Sequence, residues 1–222
     1  MTSPAVEDYL KAIYQLSREG ESASTSAIAD QLGIAAGSVT GMLKRLAEQG
    51  LVEHTRYYGA RLTARGTHTA VRTIRRHRIL EAFLVHVLGY PWDRVHAEAE
   101  QLEHSASEEL IDRMAKALGE PVADPHGAPI PTAAGVFEDV HLPSLAEIPV
   151  GSAVLLRQVP DDDPAELRYF AELGLIPGAQ LEILDRAPFN GPLRLRVAGT
   201  ECVVGAEIAA KIQVAPPEPD LA

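Results

Sequence analysis

The sequence predicts a mainly helical protein with a small β domain: a winged helix-turn-helix, a helical middle and a terminal β-barrel. Three observations carry that prediction. Apolar residues recur at three- and four-residue spacing through most of the chain up to Leu118, the pattern of amphipathic helices. A β-branched and aromatic stretch around Gly59 interrupts them. From Gly151 onward the apolar period changes to two, as in strands.

Each element follows from its own residues. Over 4–18, Val6, Tyr9, Leu10, Ile13, Tyr14 and Leu16 form one stripe, Pro4 suits a first helical turn and Gly20 stops the helix. A short helix over about 25–32 starts at a Ser24 or Thr25 cap, faces Ile28, Ala29 and Leu32 inward, and breaks at Gly33. A longer one runs over about 37–49, with Val39, Met42, Leu43 and Leu46 buried and Gly50 at its end. Residues 51–63 then read as a hairpin turning near Gly59. Helix, helix, tight corner, helix and hairpin describe a winged helix-turn-helix; Gly33-Ile34-Ala35-Ala36 is the corner. Such corners also occur in helical domains that never meet DNA, so composition has to decide.

A long helix over about 65–88 comes next, punctuated by Gly89-Tyr90-Pro91, then one from near Asp93 past His104, and one from Ser105 to Leu118. Residues 119–149 gather prolines and glycines and read as a linker or an extended surface segment. Strands are expected over 154–159, 181–184, 193–197 and 201–204, with a helix at about 164–173 among them, which describes a small barrel. The expected divisions are a DNA-binding domain over 1–66, a helical domain over 67–126, a proline-rich linker over 127–149 and the barrel over 150–216.

Composition excludes several classes. With 222 residues the chain has room for more than one domain. Cys202 is its one cysteine, so neither an internal disulfide nor a thiolate cage is available. No apolar run approaches a membrane span, and Met1-Thr2-Ser3-Pro4-Ala5-Val6-Glu7-Asp8 lacks the pattern of a signal peptide; a cytoplasmic protein is expected. The formal net charge of −11 argues against DNA binding if taken whole. It is unevenly spread: residues 1–78 are +4 and residues 79–222 are −15. A basic contact surface on an acidic body is the reading of that split.

The sharpest chemical pattern is His96-Ala97-Glu98-Ala99-Glu100-Gln101-Leu102-Glu103-His104. On a continuous helix His96, Glu100, Glu103 and His104 share one stripe, and His77 and Glu81 pair one turn apart on the preceding helix. Imidazoles alternating with carboxylates suit a divalent transition ion. The plainer alternative is a solvated acidic helix face. Glu100-Gln101-Leu102-Glu103-His104 also approaches the inverted zinc-protease pattern, but no further hydrolase motif accompanies it, so no enzyme is expected. His126 reads as a surface residue, Trp92 and Tyr90 as packing groups, and Cys202 as buried and inert.

Taken in order, the winged helix, the His77-Arg78-x-x-Glu81 and His96-x-x-x-Glu100-x-x-Glu103-His104 motifs, the proline-rich linker and the small barrel resemble the diphtheria toxin repressor family of metalloregulators. Its manganese transport regulator branch, in three-domain form, is the nearest likeness. The resemblance implies a helical domain that binds metal and dimerises, and a Src-homology-3-like barrel. It implies two metal sites per subunit: Asp8, Glu100, Glu103 and His104 in one, and His77, Glu81 and His96 with Asp163 and Glu166 of the barrel in the other. Asp8 and Glu100 stand where iron-responsive members carry Met and Cys, which implies Mn(II), with Fe(II) as the alternative. Lys11 stands where two-domain manganese regulators carry an acid, which argues for separate sites over a close binuclear cluster. On the DNA side the resemblance implies a recognition helix over about 36–49 with Ser38, Thr40, Gly41, Lys44 and Arg45, and a wing with Arg56, Tyr58 and Arg61. The implied function is a homodimeric repressor of metal-uptake genes on a palindromic double-stranded operator, with no membrane and no small-molecule substrate.

Overall fold

The computed structural model describes residues 2–17, 22–55, 58–136 and 142–217. The chain folds into two compact units. The first holds residues 1–77, 100–113 and 131–137; the second holds 78–99, 114–130 and 138–222.

In the first unit, α1 (Pro4–Leu16), α2 (Thr25–Leu32) and α3 (Ala36–Glu48) are followed by β1 (Val52–Thr55) and β2 (Gly59–Leu62). Pro4 occupies the first turn of α1. Ser24 caps α2, its side chain accepting a hydrogen bond from Ala27 N, and Gly33 ends it in the left-handed conformation at φ 64°. The stripes of the three helices meet: Leu10, Ile13, Ile28, Val39, Leu43 and Leu46 are fully buried in one cluster with Leu51 and Ala60. β1 and β2 pair antiparallel from Val52↔Leu62 to Thr55↔Gly59. Ala23 bridges to Ala60 on the other side of β2. This close approach explains Gly59: at φ 94°, a Cβ there would fall on the Ala23 carbonyl.

The long helix α4 (Ala64–His86) follows, then α5 (Val95–Leu102) and α6 (Glu108–Ala117). α5 is shorter than expected. Leu102 is its last residue, and Glu103 and His104 lie in the turn beyond it, closed by Ser105 N donating to Leu102 O. The stripe predicted on one continuous helix is therefore split between a helix and a turn.

In the second unit, β3 (Ala153–Gln158), α7 (Pro164–Glu172), β4 (Gln180–Arg186), β5 (Leu193–Val197), β6 (Thr200–Val204), α8 (Ala206–Lys211) and β7 (Gln213–Ala215) form the β domain. Its antiparallel sheet runs β6-β5-β4-β3-β7, with register shifts in β4 and β3 where the strands bend. Phe170 and Leu167 of α7 pack on Leu156, Ile183, Leu195 and Val214, all fully buried. Periodicity predicts neither α8 nor β7; β7 is short and lies at the sheet edge, too brief for alternation to reveal. Residues 123–130 form no free linker. Ala123 bridges to Pro129, Asp124 Oδ1 accepts from His126 N and Ala128 N, and Val159 N donates to His126 O. Gly127, at φ 90°, passes so close to β3 that a Cβ would collide with the Arg157 carbonyl.

Candidate metal centre and nucleic-acid interface

In the first unit, an acid of α1 faces an acid and an imidazole in the turn after α5. One ligand atom each from Asp8, Glu103 and His104 lies within 4.8 Å of the others. Asp8 Oδ1 sits 2.8 Å from His104 Nε2 with no hydrogen bond between them, and Asp8 Oδ1 is buried without a hydrogen-bond partner among the described residues. Glu103 Oε1 is 3.5 Å from the same nitrogen. On its far side the ring meets Glu7: His104 Nδ1 lies 2.8 Å from Glu7 Oε2. A carboxylate only accepts, so Nδ1 carries the hydrogen. An orphaned carboxylate oxygen beside an imidazole nitrogen, with a second buried carboxylate at hand, is a donor set that a divalent cation fits.

Glu100 is not in that triad. The Lys11 ammonium bridges Glu100 and Glu103, donating to Glu100 Oε1 and to both Glu103 oxygens, at 3.0 and 3.2 Å. Burial opposes the Lys11 charge, but the two carboxylates outweigh it and hold the ammonium above its ordinary pKa. His77 Nδ1 also turns to Glu103, 2.6 Å from Oε2 and 3.7 Å from Glu100 Oε1. Burial alone would raise the pKa of the Glu103 carboxyl; His77 and Lys11 bring it below the usual range. Asp8 goes the other way, raised by burial despite His104 and Lys11.

A second cluster lies in the second unit, around Glu81. His96 Nδ1 is 3.2 Å from Glu81 Oε1 and 3.5 Å from Asp161 Oδ2. Burial disfavours the His96 charge, but Asp161 and Glu81 push its pKa up to about 10. On the other side of Glu81 stand Asp124 and His126, with ligand atoms of all three within 4.8 Å. His126 Nε2 is 2.8 Å from the Trp92 carbonyl, which can only accept, and the two rings stack at 5.6 Å. Its Nδ1 lone pair is therefore free, 3.9 Å from Glu81 Oε2. Among the described residues that nitrogen and Asp124 Oδ2 are buried with no hydrogen-bond partner. Burial and the nearby Glu81 raise the Asp124 pKa to about 7. These orphaned atoms also suit a cation.

Several expectations change here. Asp163 and Glu166 do not join this cluster. Asp163 caps α7, its Oδ1 accepting from Ala165 N at 2.7 Å, and Glu166 pairs with Lys211. Asp161, two residues earlier, is the barrel acid that reaches His96. His126 is fully buried, not a surface residue. Cys202 is half-buried, and burial raises its thiol pKa. Glu7, Asp124, His126 and Asp161 escaped the sequence reading as site residues. The first and last neighbour residues singled out in it, and Asp124-x-His126 before Gly127 is a recognisable side-chain-to-backbone turn.

The helix placed to read DNA is α3. Ser38, Thr40, Gly41, Lys44 and Arg45 all lie on its exposed side, opposite buried Val39, Leu43 and Leu46. Apart from adjoining residues and the backbone of α3 itself, nothing lies within 4 Å of where a Cβ would stand on Gly37 or Gly41, so that face is open to close approach. Thr40 Oγ1 donates to Ala36 O, and Arg45 reaches Met42 Sδ. On the hairpin, Tyr58 is 78% exposed, and Arg61 is exposed with its Nε donating to Ser22 Oγ. Arg56 lies outside the described residues.

Known proteins match in the same order. The N-terminal DNA-binding domain of the iron dependent repressors matches residues 1–60, their metal-binding and dimerisation domain matches 63–132, and a FeoA domain matches 144–216. The iron-dependent repressor IdeR of Mycobacterium tuberculosis is 34% identical over 197 residues, covering 83% of this chain and 85% of its own. The HTH-type transcriptional regulator MntR of Bacillus subtilis is 35% identical over 114 residues, covering 51% of this chain and 80% of its own. A solved manganese-dependent transcriptional repressor in complex with manganese superposes with a TM-score of 0.89 at 37% identity, covering 96% of this chain and all of that one. A winged helix, a helical domain with facing acids and imidazoles and a FeoA-type β domain, matched along the whole chain, establish that this protein belongs to the diphtheria toxin repressor family of metal-dependent transcriptional repressors and resembles its manganese-regulator branch.

Proposed function

We propose that the chain is a Mn(II)-activated repressor that binds a palindromic operator as a homodimer and controls genes of metal uptake. One observation carries the reading: Asp8 Oδ1, on α1 of the DNA-binding segment, stands 2.8 Å from His104 Nε2 with no hydrogen bond joining them. An ion held by Asp8, Glu103 and His104 would tie α1 to the turn after α5. When bound it supplies the positive charge that these donors lack. Binding that favours one placement of α1 shifts the population toward it. In a two-fold dimer, the favoured placement is the one that sets two α3 helices into successive major grooves about 34 Å apart.

Ser38, Thr40 and Gly41 would then lie against base edges and phosphates, with Lys44 and Arg45 on the backbone and Arg56, Tyr58 and Arg61 on the wing. Glu100, held by Lys11, borders the first ion. A second ion fits at Glu81 with His96, Asp161, Asp124 and His126. Oxygen and imidazole donors without sulfur favour Mn(II) over softer ions. Fe(II) is the second reading, supported by the likeness to IdeR. The family's members are transcriptional repressors, so the hydrolase reading of Glu100-Gln101-Leu102-Glu103-His104 is set aside.

Fluorescence anisotropy with operator DNA tests this. Mn(II) should tighten binding at least tenfold over the chelated protein, and Asp8→Ala should abolish that gain while leaving the dimer intact. Equal binding with and without Mn(II) overturns the switch. The same titration with Fe(II) under anaerobic conditions separates the two metals.

A further inference from the structure

Glu7 and Asp8 are adjacent acids on α1, yet their oxygens are engaged very differently. Asp8 Oδ1 has no hydrogen-bond partner among the described residues. Glu7 is saturated: Thr2 Oγ1 donates to Oε1 at 2.8 Å, Arg76 Nη2 donates to Oε2 at 2.7 Å, and His104 Nδ1–H donates to Oε2 at 2.8 Å. Glu7 is buried, and Arg76, itself 11% exposed in its side chain, also holds Glu108 at 3.1 Å. Burial would raise the Glu7 pKa, but His104, Thr2 and Arg76 keep it below the ordinary carboxylate range. A carboxylate so engaged is a poor ion ligand and a firm acceptor.

We propose that Glu7 is a positioning residue: by taking the Nδ1 hydrogen of His104, it fixes the ring so that Nε2 presents its lone pair toward Asp8 and Glu103. Neither oxygen of Glu7 ligates the ion. Arg76 fixes Glu7 in turn, so the orientation of the ring depends on α4 as well as on α1. Imidazole ligands held this way gain basicity and lose rotational freedom, and loss of the partner typically costs about 10–100-fold in metal affinity. The proposal rests on the reading of Asp8, Glu103 and His104 as an ion site, and its test separates the two.

The test uses the full-length protein and Mn(II) alone, with free Mn(II) read by electron paramagnetic resonance. Glu7→Gln keeps an acceptor oxygen but loses the charge; Glu7→Met loses both. Affinity should fall about tenfold in the first and further in the second, toward the 100-fold end. Independently of metal, the His104 Nδ1–H resonance in histidine-labelled, metal-free protein, assigned by its absence in His104→Gln, should be slow to exchange in the native chain. It should shift in Glu7→Gln and exchange away in Glu7→Met. If Glu7→Met does not fold, as circular dichroism would show, Glu7→Gln decides alone. Native Mn(II) affinity in folded Glu7→Gln overturns the proposal. So does reduced affinity with an unmoved Nδ1–H resonance, because Glu7 would then be acting as a ligand or by placing α1. Asp8→Asn is the control: if it binds Mn(II) as tightly as the native protein, the ion site itself is misassigned.

Discussion

Single residues decide most of what this site can do. Glu103 is fully buried and is engaged by the Lys11 ammonium and the His77 ring together. The ammonium acts as a tethered counter-cation for acids that would otherwise repel one another. Lys11→Met should therefore lower the stability of the metal-free protein by about 1–3 kcal/mol, the cost of leaving a buried acceptor unpaired. Added Mn(II) should restore more stability to this variant than to the native chain, and denaturant titrations with and without metal would measure both. Gly59 makes a purely steric prediction. Gly59→Ala forces a side chain into φ 94° and onto the Ala23 carbonyl, so a loss of about 1–3 kcal/mol or more is expected in thermal unfolding. At this scale the sequence was partly legible. The spacing around His96 to His104 marked out a stretch whose imidazoles and acids do fall into clusters in the fold, but Asp161-Asp162-Asp163 offered three equivalent acids. The residue before Pro164 is the natural helix cap, and a carboxylate committed to a helix end is not free to turn toward His96. Reading that cap first would have favoured an earlier acid.

Elements were more legible than residues, because helical and strand periods survive individual exceptions. α1, α2, α3 and the hairpin lie within two residues of where periodicity and glycines put them. Besides the unforeseen α8 and β7, the departure is α5, which stops at Leu102 with no glycine or proline to announce it. That early stop matters, since the turn carries Glu103 and His104 out of the helical stripe begun by His96. The exposed face of α3 makes its own prediction. Lys44→Ala should weaken operator and non-operator DNA by similar factors and reduce the salt slope of log affinity by about 1. A variant that instead relaxed sequence preference would put Lys44 on a base and not on a phosphate.

At the scale of the whole molecule, the charge of the first 78 residues is less available to DNA than its total implies. Arg72 pairs with Glu108, Arg75 with Asp112, Arg76 with Glu7 and Glu108, and Arg78 lies 3.6 Å from Asp124. These arginines of α4 are engaged by acids of their own units, Arg72 at the surface and Arg75, Arg76 and Arg78 largely buried, a use that charge counting cannot distinguish from a contact surface. Among the described residues of the first 66, Lys44, Arg45, Arg61 and Arg65 remain exposed. If ions bind the folded chain preferentially, stripping them with a chelator should lower the melting temperature. Restoring Mn(II) at about a hundred times its Kd should return roughly 2.7 kcal/mol per site. Finally, the pinning of Gly127 against the Arg157 carbonyl, with Val159 N bonded to His126 O, bears on how the chain can be cut. A protease nicking near residue 150 would not liberate a self-sufficient barrel, because β3 would still be gripped by a strand of chain from the other side of the nick. Limited digestion should therefore leave the two pieces co-eluting on a sizing column until denaturant parts them.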